Sequence, residues 1–294
     1  MGNPLKMDVK KTVSDLENLK GDEGNLQESL NIFKDSYNKE NPLISIVIPL
    51  YNEESSIKNV INRIPNHRKL EIIIVDDGST DNSVRKIKEI ENKDIKIIQH
   101  YKNQGYGAAL ISGIESATGE IIVTMDSDGQ HNPEEIPNLI KPIIDNQADL
   151  VVGSRYLGKS HYKVPLHARV GEYIINICLS CLYRQKVRNN QSGFRAFDSQ
   201  YVNIFKNMRD TKFGLCTETL FKAVHNKLRI YEIPISVNIR EYGNSRVDLF
   251  KICISISFCI LVYVVKRFKL NRLISNRILA KMKHKITILI SKFT

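Results

Sequence analysis

The chain has no tryptophan, no acidic residue between positions 249 and 294, and no apolar h-region near its start of the kind a secretory leader needs. The missing tryptophan reads as composition, with Ile, Lys and Asn abundant. The missing leader says more. The N-terminal stretch is polar and acidic without an apolar h-region, so no export signal is expected. Lys6 stands where a myristoylation motif needs Ser or Thr. Five cysteines, an odd number, together with the absent leader fit a reducing cytosol. Cys178-Leu-Ser-Cys181 is a CxxC without a second ligand pair, in an apolar helical stretch; it predicts small buried hydrophobes and not a zinc or redox centre. The absence of acids at the C-terminus locates the charge. Of a net +11, residues 249–294 hold +10, residues 42–248 hold +3 and residues 1–41 hold −2. A nucleic-acid binder carries its basic stripe on the folded module, so no nucleic-acid partner is expected. No comfortable membrane span is present either. Ile252 to Val265 is uncharged, but as a helix it reaches about 21 Å against roughly 30 Å of hydrocarbon.

What is there begins at Pro42. Ile44–Ile48, Glu71–Val75, Ile95–Ile98, Glu120–Met125 and Leu150–Val152 read as short, near-continuous apolar strands. Helices are predicted between them, ending at Ile64, over 82–91, ending at Ala117, and over 133–146. This alternation means an α/β fold, a mostly parallel sheet with helices on both faces. In such sheets ligands sit at the carboxyl ends of the strands. Further on, helices are predicted around 165–184 and near 217–226, with extended pieces at 229–233 and 235–240. Residues 1–41 read as a polar N-terminal extension and 42–248 as the main domain. From Leu270 to Phe293 apolar residues fall at helical spacing among Arg272, Arg277, Lys281, Lys283 and Lys285, so 249–294 predicts a basic amphipathic, membrane-associated tail.

Several common site motifs are absent. The loop after the first strand, Pro49-Leu-Tyr-Asn-Glu-Glu54, has no G-x-G-x-x-G, which disfavours a dinucleotide. The pair Gly105-Tyr-Gly107 follows the third strand and lacks the third glycine. A hydrolase elbow would need Ser at 155, where the chain has Arg155. The informative loop is Met125-Asp-Ser-Asp-Gly-Gln-His131, delivered by an apolar strand. Alternate residues of an extended segment point the same way, so Asp126 and Asp128 can converge on one hard cation such as Mg²⁺ or Mn²⁺. Nucleotide-sugar transferases hold a diphosphate with this arrangement. A solvated turn capping the helix at Asn132-Pro133 is the competing reading. An EF-hand is excluded because glycine stands at the fourth place and not the sixth.

In order along the chain stand Ile46-Val-Ile-Pro-Leu-Tyr-Asn-Glu53, Val75-Asp-Asp-Gly-Ser-Thr80, Asn103 to Ala108, Met125 to His131, Val152-Gly-Ser-Arg155, Ser192-Gly-Phe-Arg195 and Arg240 to Arg246. This series resembles the family-2 glycosyltransferases, and within them the polyprenyl-phosphate hexosyltransferases, over about residues 44–247. The resemblance implies a GT-A-like (Rossmann-like) sheet, to which the tail pattern adds C-terminal membrane-associated helices. It implies that Pro49, Tyr51, Glu53, Val75, Asp77 and Ser127 bind the nucleotide sugar, with Asp126, Asp128 and Gln130 holding the metal. Arg155, Arg240 and Arg246 would meet phosphate oxygens, a task suited to the guanidinium fork, and Asp126, Asp128 and Arg240 would carry catalysis. For Asp77 and Asp81, turn and helix-cap roles stand beside this one. The family commonly has Lys where this chain has Arg246, and often an acid near Asn189.

The expected function is transfer of a hexose, with inversion, from a GDP-mannose or UDP-glucose type donor to a polyprenyl phosphate at the cytosolic membrane face. The alternative within the family is a hydroxyl acceptor on a glycan, which needs a general base; Glu218 is then the candidate. A catalytically silent membrane-surface protein is a third reading, disfavoured by the intact aspartate pair.

Overall fold

The structure, a computed structural model, describes residues 42–65, 69–90, 94–161, 164–206, 208, 214–240, 257 and 259–264. Its centre is β1 (Ile44–Leu50), buried along all seven residues. Ile46 and Ile48 face one apolar layer and Val47 faces the other, because successive strand residues point to opposite faces. A strand wet on one side could not carry this unbroken run. β2 (Leu70–Asp76) and β4 (Ile121–Thr124) pair with it in parallel on either side, and β3 (Ile95–Gln99) pairs outside β2. The sheet continues through β6 (Arg195–Asp198), β5 (Leu150–Ser154) and β7 (Ile230–Pro234), in the order β3-β2-β1-β4-β6-β5-β7.

Helices cover both faces. α1 (Ile57–Asn62) and α4 (Ile136–Ile144) pack into the layer of Ile46 and Ile48. α3 (Tyr106–Glu115), α5 (Leu166–Tyr183) and α6 (Leu215–His225) pack into the layer of Val47. α2 (Ser83–Lys88) lies against α1. Burying one such isoleucine contributes about 1.5–3 kcal/mol, so the continuous β1 run is a large share of the core.

The strand order fixes where a ligand can sit. The chain steps outward from β1 to β2 to β3, then crosses back to the far side of β1 for β4. At that reversal the connections leave in opposite directions and open a crevice at the carboxyl ends of β1 and β4.

Three details depart from the sequence reading, and a fourth adds to it. The Ser192–Phe197 segment, assigned no element, supplies β6, which runs antiparallel between β4 and β5 and makes the sheet mixed. The helix expected over 133–146 is a 3₁₀ turn at Pro133–Glu135 followed by α4, because the Asn132 side chain accepts from Glu134 N and tightens the first turn. Residues 235–240 add no strand; within them Val237 forms isolated bridges to His131 and Ser160. Finally, within the stretch expected to sit in a membrane, Val262 and Tyr263 are buried, and the Tyr263 ring stacks on Phe221 of α6 at 5.3 Å. An apolar run satisfies a core as well as a bilayer. Residues 1–41 and 265–294 lie outside the described residues, and no helix among the described residues is long and apolar enough to cross a membrane.

Candidate active site

The loops after β1 and β2 are tied into one wall. Thr80 N donates to Asn52 Oδ1 at 2.7 Å, Asn52 N to Ser79 Oγ at 2.9 Å, and Glu53 N to Ser83 Oγ at 2.9 Å. Glu54 N donates to Asp81 Oδ2, and Asn82 N to Glu54 Oε2. The Tyr-Asn-Glu-Glu and Asp-Asp-Gly-Ser-Thr motifs are therefore two halves of one hydrogen-bonded unit. Pro49 and Val75 pair in register beneath it, with Tyr51 half-buried above. Asp77 is 2% exposed and accepts from Gln104 N at 2.9 Å and Gly105 N at 2.8 Å, with His100 Nδ1 2.7 Å away. It holds the loop after β3 in place. Gly78 is required there: its φ is +77°, and a Cβ would sit 2.9 Å from Asn103 N.

Asp126 and Asp128 follow β4 into the crevice. Tyr106 OH donates to Asp126 Oδ1 at 2.7 Å, and Gln130 N donates to Asp128 Oδ1 at 3.0 Å. The second oxygen of each carboxylate accepts no hydrogen bond among the described residues. Burial and the Asp126 charge push the Asp128 carboxyl above its ordinary range. Arg240 stands opposite: its Nη2 pairs with Glu53 Oε1, and its Nη1 lies 3.9 Å from Asp128 Oδ2. Burial, reinforced by Asp128, raises Glu53 as well, against the pull of Arg240. Burial and Asp126 together keep the Tyr106 phenol protonated well past its usual range, so it remains a donor. Ser127 turns its carbonyl to Ser56 Oγ at 2.8 Å, which pins the loop to α1.

A divalent cation fits this set. Each aspartate keeps one oxygen free of hydrogen bonds, His131, Gln130 N and Arg240 offset their mutual repulsion only in part, and hard oxygen donors suit Mg²⁺ or Mn²⁺. Gln130 donates Nε2 to Asn238 O at 3.2 Å, and its Oε1 accepts no hydrogen bond among the described residues. No cluster of three His, Cys, Asp or Glu side chains forms a metal cage among the described residues, so the donors would be two carboxylates and the amide.

The structure therefore gathers Glu53, Asp126, Ser127, Asp128, Gln130 and Arg240 at one crevice. Arg155 is engaged elsewhere: its Nη2 pairs with Glu172 on α5, and its guanidinium lies 5.4 Å from the Tyr156 ring centroid. Arg246 lies outside the described residues. Asn189 is buried and holds Gly153 O, while Glu218 is buried in the first turn of α6. Cys178 is half-buried on α5, where burial and its neighbour Cys181 raise its thiol pKa; Cys181 is exposed, not the buried hydrophobe expected.

Three contributors were not singled out from the sequence. Tyr106 reaches Asp126 from a motif whose only obvious feature was its glycines. His131 is buried, stacks on Phe194 at 5.2 Å, and presents an unpartnered Nδ1 3.7 Å from Asp126 Oδ2. Gly193 backs the same carboxylate so closely that a Cβ would lie 2.5 Å from Asp126 Oδ1. Arg195 supports that loop by donating to the carbonyls of Ser192, Cys216 and Asn190.

A half-buried carboxylate pair at the switch point of a mostly parallel sheet defines the GT-A class of sugar-nucleotide transferases. The chain belongs to glycosyl transferase family 2, whose model matches residues 45–205, and it is a glycosyltransferase. It is 38% identical over 223 residues to the UDP-N-acetylglucosamine–dolichyl-phosphate N-acetylglucosaminyltransferase of Methanococcus voltae, covering 69% of this chain and 89% of that one. It is 32% identical over 210 residues to the dolichol-phosphate mannosyltransferase of Pyrococcus furiosus, covering 69% of this chain and 58% of that protein. The fold resembles Mycobacterium tuberculosis glucosyl-3-phosphoglycerate synthase in complex with Mn²⁺, UDP-glucose and phosphoglyceric acid. That match has a TM-score of 0.60 and 20% identity, covering 78% of this chain and 83% of that one.

Proposed function

We propose that this enzyme transfers a hexose from a nucleotide sugar, of GDP-mannose or UDP-glucose type, to a polyprenyl phosphate at the cytosolic face of a membrane, with inversion. The observation that carries the reading is the Asp126–Asp128 pair at the β1/β4 crevice, with Arg240 and Glu53 facing it. Relatives named for dolichyl phosphate as acceptor support the lipid.

The tied wall of residues 49–54 and 75–83 would receive the nucleoside, with Asp77 and Glu53 as acceptors for base and ribose. Asp126, Asp128 and Gln130 would hold Mg²⁺ or Mn²⁺, which when bound neutralises charge on the departing diphosphate. Arg240 would move from Glu53 and Asp128 to phosphate oxygens, with Arg155 and Arg246 as further phosphate partners. The acceptor needs no general base. A phosphate monoester has its second pKa near ~6, so at neutral pH it is already an anion. The basic residues of 249–294 would hold the protein at the lipid surface, each contributing about 1 kcal/mol near anionic headgroups.

A panel of nucleotide sugars offered with membrane lipid extract, the product identified by mass, tests this reading. A sugar linked to a lipid phosphate is expected. A sugar found only on a hydroxyl acceptor would replace the acceptor assignment and leave the donor site intact.

A further inference from the structure

α5 shows solvent an apolar face: Leu166, Val170, Tyr173, Ile174 and Ile177 are 43–75% exposed and recur at three- and four-residue spacing. Leu157, in the preceding loop, is 42% exposed as well. A core helix hides such a stripe, and one left open marks an interaction site. The surrounding charge selects the partner. Among the described residues from 156 to 190, the exposed charged side chains are Lys159, Arg169, Arg184, Lys186 and Arg188, all cationic. The single acid in that range, Glu172, is 5% exposed and already paired with Arg155. Glu232, from β7, is half-buried and taken up by the amides of Arg188 and Asn189. An apolar stripe whose own helix and flanking loops expose cations and no acid fits an anionic bilayer, where the stripe enters the acyl boundary and the cations meet headgroups. A second copy of this chain would bring the same cations against themselves.

The inner face of the same helix holds Arg155, one of the phosphate-binding candidates. The Glu172 carboxylate takes Arg155 Nη2 on one oxygen and Tyr156 OH on the other, and Asn190 Nδ2 donates to its main-chain oxygen at 2.8 Å. Among the described side chains of residues 166–174 Glu172 is the one that is buried, while Ile175 and Leu179 anchor the later turns. Arg155 follows directly on β5, at the carboxyl end of the sheet.

We propose that α5 seats the enzyme on anionic lipid through Val170, Tyr173, Ile174 and Ile177, and that Glu172 on its inner face is a positioning residue holding Arg155 for the acceptor phosphate. The second half rests on the acceptor reading above; the first does not. It makes the helix both the docking surface and the mount for a phosphate-binding arginine, so that lipid contact and acceptor recognition share one element.

Sedimentation of the full chain with vesicles of phosphatidylcholine and phosphatidylglycerol needs neither donor nor acceptor and tests the surface alone. V170D/I174D replaces exposed side chains, so its melting temperature is expected to match the parent, while vesicle affinity falls about tenfold. Undiminished binding would overturn the docking half, as would a concentration-dependent dimer that V170D/I174D abolishes. For the second half, E172Q is expected to raise KM for a short soluble polyprenyl phosphate about tenfold, with donor KM unchanged and E172D partly restoring it. Y156F, which removes one partner of Glu172 at an exposed position, is expected to give a smaller rise. Equal shifts in both KM values, or no shift in a folded E172Q or in Y156F, would overturn it. If the parent protein transfers nothing to any polyprenyl phosphate while the vesicle result stands, the acceptor reading has failed and the docking surface has not.

Discussion

Two acidic loops leave this sheet at equivalent places, and they use the same residue in opposite ways. After β2, the carboxylates are consumed by the protein itself. Asp76 takes Ser79 N and Gln99 Nε2, Asp77 takes two backbone amides and faces His100, and Asp81 takes Glu54 N with the amide and hydroxyl of Ser83. After β4, Asp126 and Asp128 each accept one hydrogen bond and leave one oxygen open, with a like charge as neighbour. A half-buried charge without full compensation carries part of the cost of a buried one. The second loop thus stores an unfavourable arrangement that a cation would relieve, and the first builds the wall beside it. Local residue type does not distinguish the two; the supply of donors does.

The sharpest way to break the comparison is Asp128→Asn. Transfer is expected to fall about a thousandfold, while the melting temperature holds or rises, because the substitution removes repulsion. A variant that loses its fold together with its activity would show that Asp128 is structural like Asp77. The converse is Asp77→Asn, which turns an acceptor of two amides into a side chain that is half donor. A stability loss of about 2–4 kcal/mol is expected from the stranded N–H groups, read by denaturant unfolding, with donor KM raised as the loop after β3 slackens. An Asp77→Asn protein of unchanged stability would dissolve the contrast from the other side.

Arg240 is the cation that stands in the open loop. Arg240→Ala is expected to lose acceptor binding and rate together, about a hundredfold in kcat/KM, whereas Glu218→Gln keeps most of its turnover. Steady-state kinetics with a polyprenyl phosphate measure both. A folded but inactive Glu218→Gln beside a nearly normal Arg240→Ala would transfer the assignment to a hydroxyl acceptor and a general base.

The strands from β1 to β5 were legible because a strand buried on both faces writes an unbroken apolar run. β6 was not, since four residues beginning with Arg195 carry no period. The aspartate pair was legible from Asp126-Ser-Asp128 following a strand, but its surroundings were not. Tyr106 lies 20 residues away and Gly193 and Arg240 still further along the chain, and only the sheet order brings them together. Arg155 was legible as a conspicuous arginine after a strand, yet its partner Glu172 sits inside an apolar helix, where nothing in the sequence marks an inward carboxylate. The same ambiguity governs residues 252–265: hydropathy measures avoidance of water and does not say whether protein or lipid provides the shelter, and Tyr263 found Phe221.

A carboxylate at the other end of the sheet supplies the smallest and most discriminating test. Asp149 precedes β5 and accepts from the amide, Nε and Nη2 of Arg229. Burial alone would raise its pKa, but the Arg229 hydrogen bonds and charge outweigh that and lower it. A depressed carboxylate stabilises the fold above its unfolded value of about 3.9, and the contribution disappears as pH falls through the folded value. Because the Arg229 side chain is half exposed, Asp149→Asn is expected to cost only about 1 kcal/mol at neutral pH. Its melting curve should then converge with the parent's in acid. Asp128, raised by burial and by Asp126, has the opposite sign: its penalty exists above the folded pKa and vanishes below the unfolded one, so the advantage of Asp128→Asn over the parent should also close in acid, but from above. Thermal melts of both variants across that range compare a satisfied carboxylate with an open one directly. If the Asp149→Asn deficit stayed constant into strong acid, shape and not charge would be its cause, and the link between donor supply and carboxylate role would lose its control.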